Sequence, residues 1–491
     1  MQCRRFGLTA GVFRALVLGV PALIGTACPA RADNALAARS RNAMLRASKF
    51  FAERVASHGG YVYHYSVDLS RRWGEGEATV DQIWVQPPGT PTVGLAFLTA
   101  YEATGERFYL DAARRAAEAL VYGQLESGGW TNCIDFNPHG ERVSRYRHGR
   151  GKGRNVSSLD DGQTQSAIRL LVRVDQALGF KHAGIHQAAR AALDALLAAQ
   201  FANGGFPQVW TGPVKTDAVQ PAQSARYPDV DWRTEGRIKD YWDMLTLNDN
   251  VCGYVADALI DAYNVYRADV YKEAVRRLGR FLVLAQMPDP QPGWAQQYND
   301  DMVPIWARAF EPPGIAADES QEVIETLMRI YDFSGDRALL EPIPNALNYL
   351  EKSMLPDGKL ARFYELRTNR PLYMHRDGRR YVLTYDDSDL PDHYGWKIEP
   401  RLTGLRQEFG RRSAVASTDG SIPSARTVPA AEQEVRDIVA SLDPRGCWVS
   451  TFSGERLVGQ LKLPTGTPYI ASAVFSRNLE ILSAYVAAMR Q

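Results

Sequence analysis

Two short acidic clusters and a set of arginines are the residues of this chain whose types and spacing could do chemistry. Ser157-Ser-Leu-Asp-Asp-Gly-Gln-Thr164 carries Asp160 and Asp161 at the start of a helical pattern, and Thr246-Leu-Asn-Asp-Asn250 places Asn248, Asp249 and Asn250 before another. An Asp is a common helix cap, so one of Asp160 and Asp161 is accounted for by local structure. Two such clusters on neighbouring helices would offer the oxygen ligands that a hard cation such as calcium takes. Arg308, Arg362 and Arg376 form a late cationic set, and guanidinium forks match carboxylates in a bidentate manner, so the implied ligand is anionic. Arg308 sits among Trp306, Phe310, Glu311, Pro312 and Pro313, where the prolines exclude a regular helix and predict a defined, exposed loop.

The elements that must position these groups read as paired helices. Apolar spacing predicts pairs at 92–104 with 107–122, 162–178 with 184–200, 250–267 with 270–286, and 318–333 with 337–353. Each pair ends in a loop rich in Gly, Pro and aromatics. The echo is clearest in Gln124-Leu-Glu-Ser-Gly-Gly-Trp130, Gln200-Phe-Ala-Asn-Gly-Gly-Phe206 and the stretch from Gln286 to Trp294. Short connections make paired helices antiparallel, and such pairs stack as a solenoid or close into a ring. The ring is favoured because it brings the loops that carry the unusual residues to one face. The expectation is a mainly α protein, an incomplete α/α toroid with long loops and a few short strands.

A helical pattern from Asn34 to about Ser57 precedes Gly59-Gly-Tyr-Val-Tyr-His-Tyr65, which alternates as a short strand does. A last helix is expected over Pro468 to Ala488, beginning with Gly-Thr-Pro as the helix at Thr90 does and packing beside the first member of the ring. Thr211 to Lys239 and Thr403 to Glu432 interrupt the pattern, the second as an excursion from the core at about 90–400. Trp130, Phe206, Trp210 and Trp294 read as core or loop anchors.

Arg4 and Arg5, an apolar run from Leu8 to Ile24 and Ala30-Arg31-Ala32 read as a signal peptide over residues 1–32, leaving 33–491 as a single catalytic domain that is secreted or periplasmic. No later stretch has the length and apolarity of a membrane span. A net charge of +1 argues against a nucleic-acid partner. Cys133, Cys252 and Cys447 lack metal-finger spacing and are expected to be buried as small apolar side chains.

Six ordered motifs carry a resemblance to a known family. Leu159-Asp-Asp-Gly-Gln-Thr164, Asn203-Gly-Gly-Phe-Pro-Gln208, Leu247-Asn-Asp-Asn250, Trp294-Ala-Gln-Gln-Tyr298, Ala307-Arg-Ala-Phe-Glu-Pro-Pro313 and Arg362-Phe-Tyr-Glu-Leu-Arg-Thr-Asn-Arg-Pro-Leu372 are similar, in order, to the landmarks of the family-ten pectate lyases, also called pectic acid lyases. The resemblance covers about Val93 to Asp377. It implies an α/α toroid, a calcium cofactor and cleavage of an acidic polysaccharide, polygalacturonate, by β-elimination. It also implies that Asp160 and Asp249, with Asp161 beside them, hold calcium, that Arg308 is the catalytic base, and that Arg362, Arg376, Arg370, Asn203 and Asn248 bind substrate. Asp161 stands where the family has Asn, Gln163 replaces a small residue, and the Trp294 motif lacks its usual Cys. An arginine acts as a base only where neighbouring positive charge and desolvation bring its deprotonation within reach. The alternatives are an α/α-toroid glycoside hydrolase, which needs paired carboxylic acids, a sugar epimerase, or a non-catalytic secreted glycan-binding protein. The protein is expected to act as a monomer.

Overall fold

The structure is a computed structural model that describes residues 34–214, 220, 222–238, 240–414 and 431–490. The expected signal peptide over 1–32 lies outside the described residues, as does 415–430 of the expected excursion. Thirteen helices run through the described residues: α1 (Asn34–Phe50), α2 (Thr90–Thr104), α3 (Arg107–Gly123), α4 (Gln163–Ala177), α5 (Ala183–Ala198), the short α6 (Trp232–Glu235), α7 (Val251–Tyr266), α8 (Asp269–Leu284), α9 (Ala317–Ser334), α10 (Ile343–Lys352), α11 (Leu402–Ala414), α12 (Glu432–Ala440) and α13 (Ser472–Ala488).

An inner row, α13, α2, α4, α7 and α9, packs neighbour on neighbour, and α1, α3, α5, α8 and α10 back it from outside. Sequence explains the two layers. Outer helix α8 buries one stripe, Tyr271, Ala274, Val275, Leu278, Phe281 and Leu282, whereas inner helix α7 buries Val251, Cys252, Val255, Ala256, Ala258, Leu259 and Ala262 across a wider arc. Arg169 of α4 bonds Asp261 of α7 at 2.8 Å, and Asp257 of α7 meets Arg329 of α9 at 3.0 Å, so half-buried ion pairs also tie successive inner helices. The architecture is an incomplete α/α toroid.

One rule sets the loops. The strand before each inner helix pairs antiparallel with the strand after its outer partner: Gln82–Trp84 with Cys133–Asp135, Ser157–Ser158 with Val209–Trp210, Leu245–Thr246 with Gln297–Tyr298, and Gly314–Ala316 with Phe363–Glu365. A fifth unit obeys it across the chain ends, since Pro468–Ala471 before α13 pairs with His64–Ser66 after α1. That pairing corrects the expected start of the last helix: Pro468 to Ala471 are strand, and only Ser472 onward is helical. The expected packing of this helix beside α2 holds.

Three glutamines fix the loop of one unit to the outer helix of the next. The Gln124 carboxamide donates to Gly128 O and Ala188 O, Gln200 to Gly204 O and Ala274 O, and Gln286 to Pro292 O and Pro342 O, at 2.8 to 3.1 Å. Gly204, at φ 98°, lies so close to α8 that a Cβ there would stand 2.1 Å from Arg277 O. Trp130, Phe206, Trp210 and Trp294 are buried anchors of these loops, and the three cysteines are free and buried, as expected.

The segment from Thr403 departs from expectation. It is helical to Ala414 and docks on α9, where Arg412 meets Asp332 at 2.6 Å and the backbone N–H of Arg401 donates to Gln321. Among the described residues no helix is long and apolar enough to cross a membrane.

Replacing Gln200 by Leu strands two buried carbonyls, and a loss of about 1–3 kcal/mol is expected. Calorimetric unfolding of Gln200→Leu checks this. An unchanged unfolding midpoint would show that the clamp adds nothing to stability.

Candidate active site

The two acidic clusters have one backbone design. Leu159-Asp160-Asp161-Gly162 and Leu247-Asn248-Asp249-Asn250 each follow a two-residue strand and make a single 3-10 turn before an inner helix. Asp161 (φ 47°) and Asp249 (φ 52°) occupy the same left-handed position in their turns. Asp161 is therefore the backbone counterpart of Asp249, while Asp160 matches Asn248. Neither Asp160 nor Asp161 caps its helix, contrary to the sequence reading, because the turn carries both carboxylates away from the free N–H groups. They take side-chain donors instead. Gln208 Nε2 donates to Asp160 Oδ1 at 2.6 Å, and Gln86 Nε2 to Asp161 Oδ2 at 2.9 Å.

Arg308 reaches both clusters. Its Nη2 lies 3.4 Å from Asp160 Oδ1 and 3.8 Å from Asp249 Oδ2, and its Nη1 lies 3.5 Å from Glu311 Oε1. The loop that carries it is half-buried and becomes buried from Glu311 onward, where an exposed loop was expected. The cause is Glu311 itself, whose N–H donates to Arg308 O and whose carboxylate accepts the Arg308 N–H, so the turn closes on its own side chain.

The charges strain one another. Desolvation, then the charges of Asp160 and Glu75, push Asp161 up to about 6, although its side chain remains open to solvent. Desolvation, then Asp160 and Asp161, hold Asp249 well above the ordinary carboxylate range. Desolvation opposes the charge on Arg308, yet Glu311, Asp249 and Asp160 raise its pKa above the usual value. The neighbours that a basic arginine was expected to have are positive; those found are carboxylates, and in this state they favour the protonated guanidinium.

A second charged group lies alongside. Arg362, on the segment after α10, bonds Glu319 at 2.9 Å, approaches Asp318 at 3.7 Å, and stacks 4.5 Å from the Tyr394 ring. Its side chain is 11% exposed. Gln296 joins the two groups by donating to Asn248 Oδ1 at 3.0 Å, Glu319 Oε1 at 2.7 Å and Tyr394 Oη at 3.2 Å.

Not every residue read from the sequence as substrate-binding reaches this centre. Asn203 is buried, its Oδ1 accepts the Gly205 N–H at 3.1 Å, and it shapes its own loop. Asn248 is buried as well and donates to Asp249 Oδ2 at 2.5 Å, which makes it a positioning residue. Arg370 is exposed and stacks 3.4 Å from the Tyr385 ring. Arg376 is exposed on the hairpin Pro371–Asp377 with Arg380–Thr384, its Nε donating to Gly378 O at 3.1 Å. That hairpin touches the site through Tyr381, whose ring packs 5.4 Å from Phe310. Gln86, Gln208, Gln296, Glu311 and Tyr394 were missed as functional residues. The middle three lie inside the quoted motifs, whereas Tyr394 lies in a stretch with no periodic signal.

Among the described residues no group of three or more His, Cys, Asp and Glu side chains is arranged as a metal centre. The donor chemistry of Asp160, Asp161 and Asp249 nevertheless fits a hard cation. The charge of Asp160 raises the proton affinity of both Asp161 and Asp249, and the buried Gln163 Oε1, two residues beyond Asp161, has no hydrogen-bond partner among the described residues.

Residues 124–397 match the profile of the pectic acid lyase family. The chain belongs to that family and is by class a polysaccharide lyase. No curated protein sequence matches it. Among solved structures it is similar to a family 10 polysaccharide lyase from Cellvibrio cellulosa, at 22% identity over 64% of this chain and 94% of that one, with a TM-score of 0.45. A mutant of a Cellvibrio cellulosa family 10 lyase in complex with trigalacturonic acid gives 21% identity over 65% and 98%, at 0.45. A GH76 α-mannanase from Bacteroides thetaiotaomicron gives 7% identity over 92% and 96%, at 0.43.

Removing the guanidinium should destabilise the protein, because Asp160, Asp249 and Glu311 then lose their shared cation. For Arg308→Leu at neutral pH without added cation, a loss of about 1–3 kcal/mol is expected, kept below the fully buried case by the 28% exposure of Arg308. Denaturant titration measures it. A gain in stability would mean that Arg308 is not the counter-ion of this cluster.

Proposed function

We propose that this protein is a calcium-dependent pectate lyase that cleaves polygalacturonate by β-elimination, leaving unsaturated oligogalacturonates. The observation that carries the reading is the lodging of Arg308 between Asp160 and Asp249 in a member of the pectic acid lyase family. Asp160, Asp161 and Asp249 are the residues that would hold calcium. Bound calcium supplies positive charge that neutralises a galacturonate carboxylate and so acidifies the neighbouring C-5 proton.

This chain's residues supply the rest. Arg308 takes the C-5 proton, the electron pair forms the C-4 to C-5 double bond, the C-4 to O-4 bond breaks, and the departing oxygen takes up a proton. Base action at Arg308 requires that the charges of Glu311, Asp249 and Asp160 be compensated, since those charges hold its proton in the resting site. Arg362, preorganised by Glu319 and Tyr394, grips a substrate carboxylate. The amino-terminal pattern of residues 1–32 supports export, where plant cell-wall polymer would be met.

A spectrophotometric assay on polygalacturonate tests this reading. Ultraviolet-absorbing product should accumulate with calcium and stop with a chelator, and Asp249→Ala should raise the calcium requirement or abolish activity while leaving the fold intact. Saturated products or none would overturn the lyase assignment, and an unchanged calcium dependence in Asp249→Ala would overturn the metal assignment.

Arg308→Lys and Arg362→Lys separate a base from a grip. Lysine keeps the charge but loses the fork and its reach. For Arg308→Lys, kcat should fall by at least about 100-fold with oligogalacturonate affinity retained. For Arg362→Lys, KM should rise and excess substrate should restore the rate. Rate recovery at saturation in both variants would remove Arg308 as the base.

A further inference from the structure

Between Asn137 and Ser157 the chain makes an excursion that the reaction described above does not use. Residues 139–154 hold six basic side chains, Arg142, Arg145, Arg147, Arg150, Lys152 and Arg154, against one acid, Glu141, in a protein of net charge +1. A charge run of this kind is ordinarily a solvated face. Here the backbone is stapled. Tyr146 N–H donates to Arg150 O at 2.7 Å, Arg145 N–H donates to Arg154 O at 3.0 Å, and the buried Tyr146 hydroxyl accepts the Asp135 N–H at 2.8 Å. At Gly153 a Cβ would stand 2.0 Å from Val143 O, so only glycine permits the two limbs to close.

The stapling sorts the cations. Arg147 donates to Gln124 Oε1 at 3.2 Å, Arg150 stacks 4.7 Å from the Tyr122 ring, and Arg145 lies 3.9 Å from Glu126, so these three hold the excursion to the body. Arg142, which also stacks 5.2 Å from the Trp84 ring, and Arg154 line a cleft of about 650 Å³ whose wall also includes Asp160, Ser158, Asn132 and Gln163. Both are exposed, and neither has an ion pair among the described residues. The cleft also has acids, Glu75 and Glu141; Glu75 accepts from Asn132 Nδ2 at 2.7 Å. The space is of the size that ligand sites occupy and is continuous with the carboxylate at which Arg308 sits.

We propose that Arg142 and Arg154 form a subsite that binds carboxylates of a polyuronate chain outside the position where the bond breaks. The inference rests on the pectate lyase reading and adds a length preference to it. The polymer engages the cleft, and chains too short to reach it do not. Carboxylates repeated along an extended chain meet two guanidinium groups carried on a stapled backbone, which raises affinity without touching the reacting atoms.

The test compares Arg142→Gln/Arg154→Gln with the native enzyme on polygalacturonate and on trigalacturonate. Polymer KM should rise about tenfold, the loss of charge-assisted contacts, while kcat at saturation and both constants for the trimer stay within about twofold. Arg142→Lys/Arg154→Lys should recover most of the polymer affinity, which a merely structural role would not produce. Equal loss on trimer and polymer, or no loss on polymer, overturns the subsite. If the native enzyme releases no unsaturated product, the pectate lyase reading has failed, and affinity electrophoresis in gels containing polygalacturonate then judges the subsite alone. Retardation of the native protein but not of the glutamine variant supports it, and equal mobility overturns it.

Discussion

The carboxamides of Gln124 and Gln200, which are buried, and of half-buried Gln286 are the constraint from which the arrangement of this protein follows. Each spends its two N–H groups on carbonyls of different units, one in its own loop and one on the next outer helix. A buried carbonyl without a donor is costly, so each loop is held in register with the neighbouring unit rather than with its own helices alone. The short strand pairs add a second tie, joining the entry to each inner helix with the exit from its outer partner. Together they keep the loops of successive units at one end of the toroid. The groups that can do chemistry come from four units: Gln86 from the first, Asp160 and Asp161 from the second, Asp249 from the third, and Asp318 and Glu319 from the fourth.

That convergence creates an electrostatic problem. Carboxylates from adjacent units repel in a partly desolvated space, and one guanidinium between two of them is the compensation that the chain itself provides. The same contact keeps Arg308 protonated. A positively charged occupant of the carboxylates would displace the need for Arg308 as counter-ion. It would also offset two of the charges that hold the arginine's proton, those of Asp249 and Asp160, leaving Glu311 as the carboxylate still paired with it. Occupancy of the carboxylates and the protonation of Arg308 are in this way tied to one charge balance. Gln296 extends the balance to Glu319 and Arg362, so the second arginine is held by the same hydrogen-bonded frame.

The helix pairs were legible because amphipathic spacing is a local property: 107–122 was read where α3 spans Arg107–Gly123, and 162–178 where α4 spans Gln163–Ala177. The convergence of Asp160, Asp161, Asp249 and Arg308 was legible through motif order. What failed depends on partners distant in sequence. Pro468 to Ala471 looked like a helix start by analogy with Thr90, but the edge offered by His64–Ser66 makes it a strand. Capping by Asp160 or Asp161 failed because the left-handed residue at Asp161 redirects the turn. Asn203 and Asn248 carried polar side chains in the right motifs, and only the structure shows those side chains consumed by Gly205, Asp249 and Gln296. The helix from Leu402 was hidden in an Arg-rich stretch whose order comes from acidic partners on α9 and α10.

The fifth unit bears on how much of the chain the site requires. The family match begins at residue 124 and ends at 397, so α1, α2, α3 and α13 lie outside it. Yet Gln86, which bonds Asp161, precedes α2, and Glu75, whose charge acts on Asp161, precedes it as well. Their segment is held by a sheet in which Arg72–Gly74 pairs with His64–Ser66, and that strand pairs with Pro468–Ala471. The two ends of the chain therefore meet to build one split unit, and that unit supports the residues that set the environment of the second. Because Asp161 is the backbone counterpart of Asp249, one arm of the acidic centre is contacted by a segment that the family profile does not contain. The matched region holds Asp160, Asp161, Asp249 and Arg308, while closure of the chain's ends holds Gln86 and Glu75 beside Asp161.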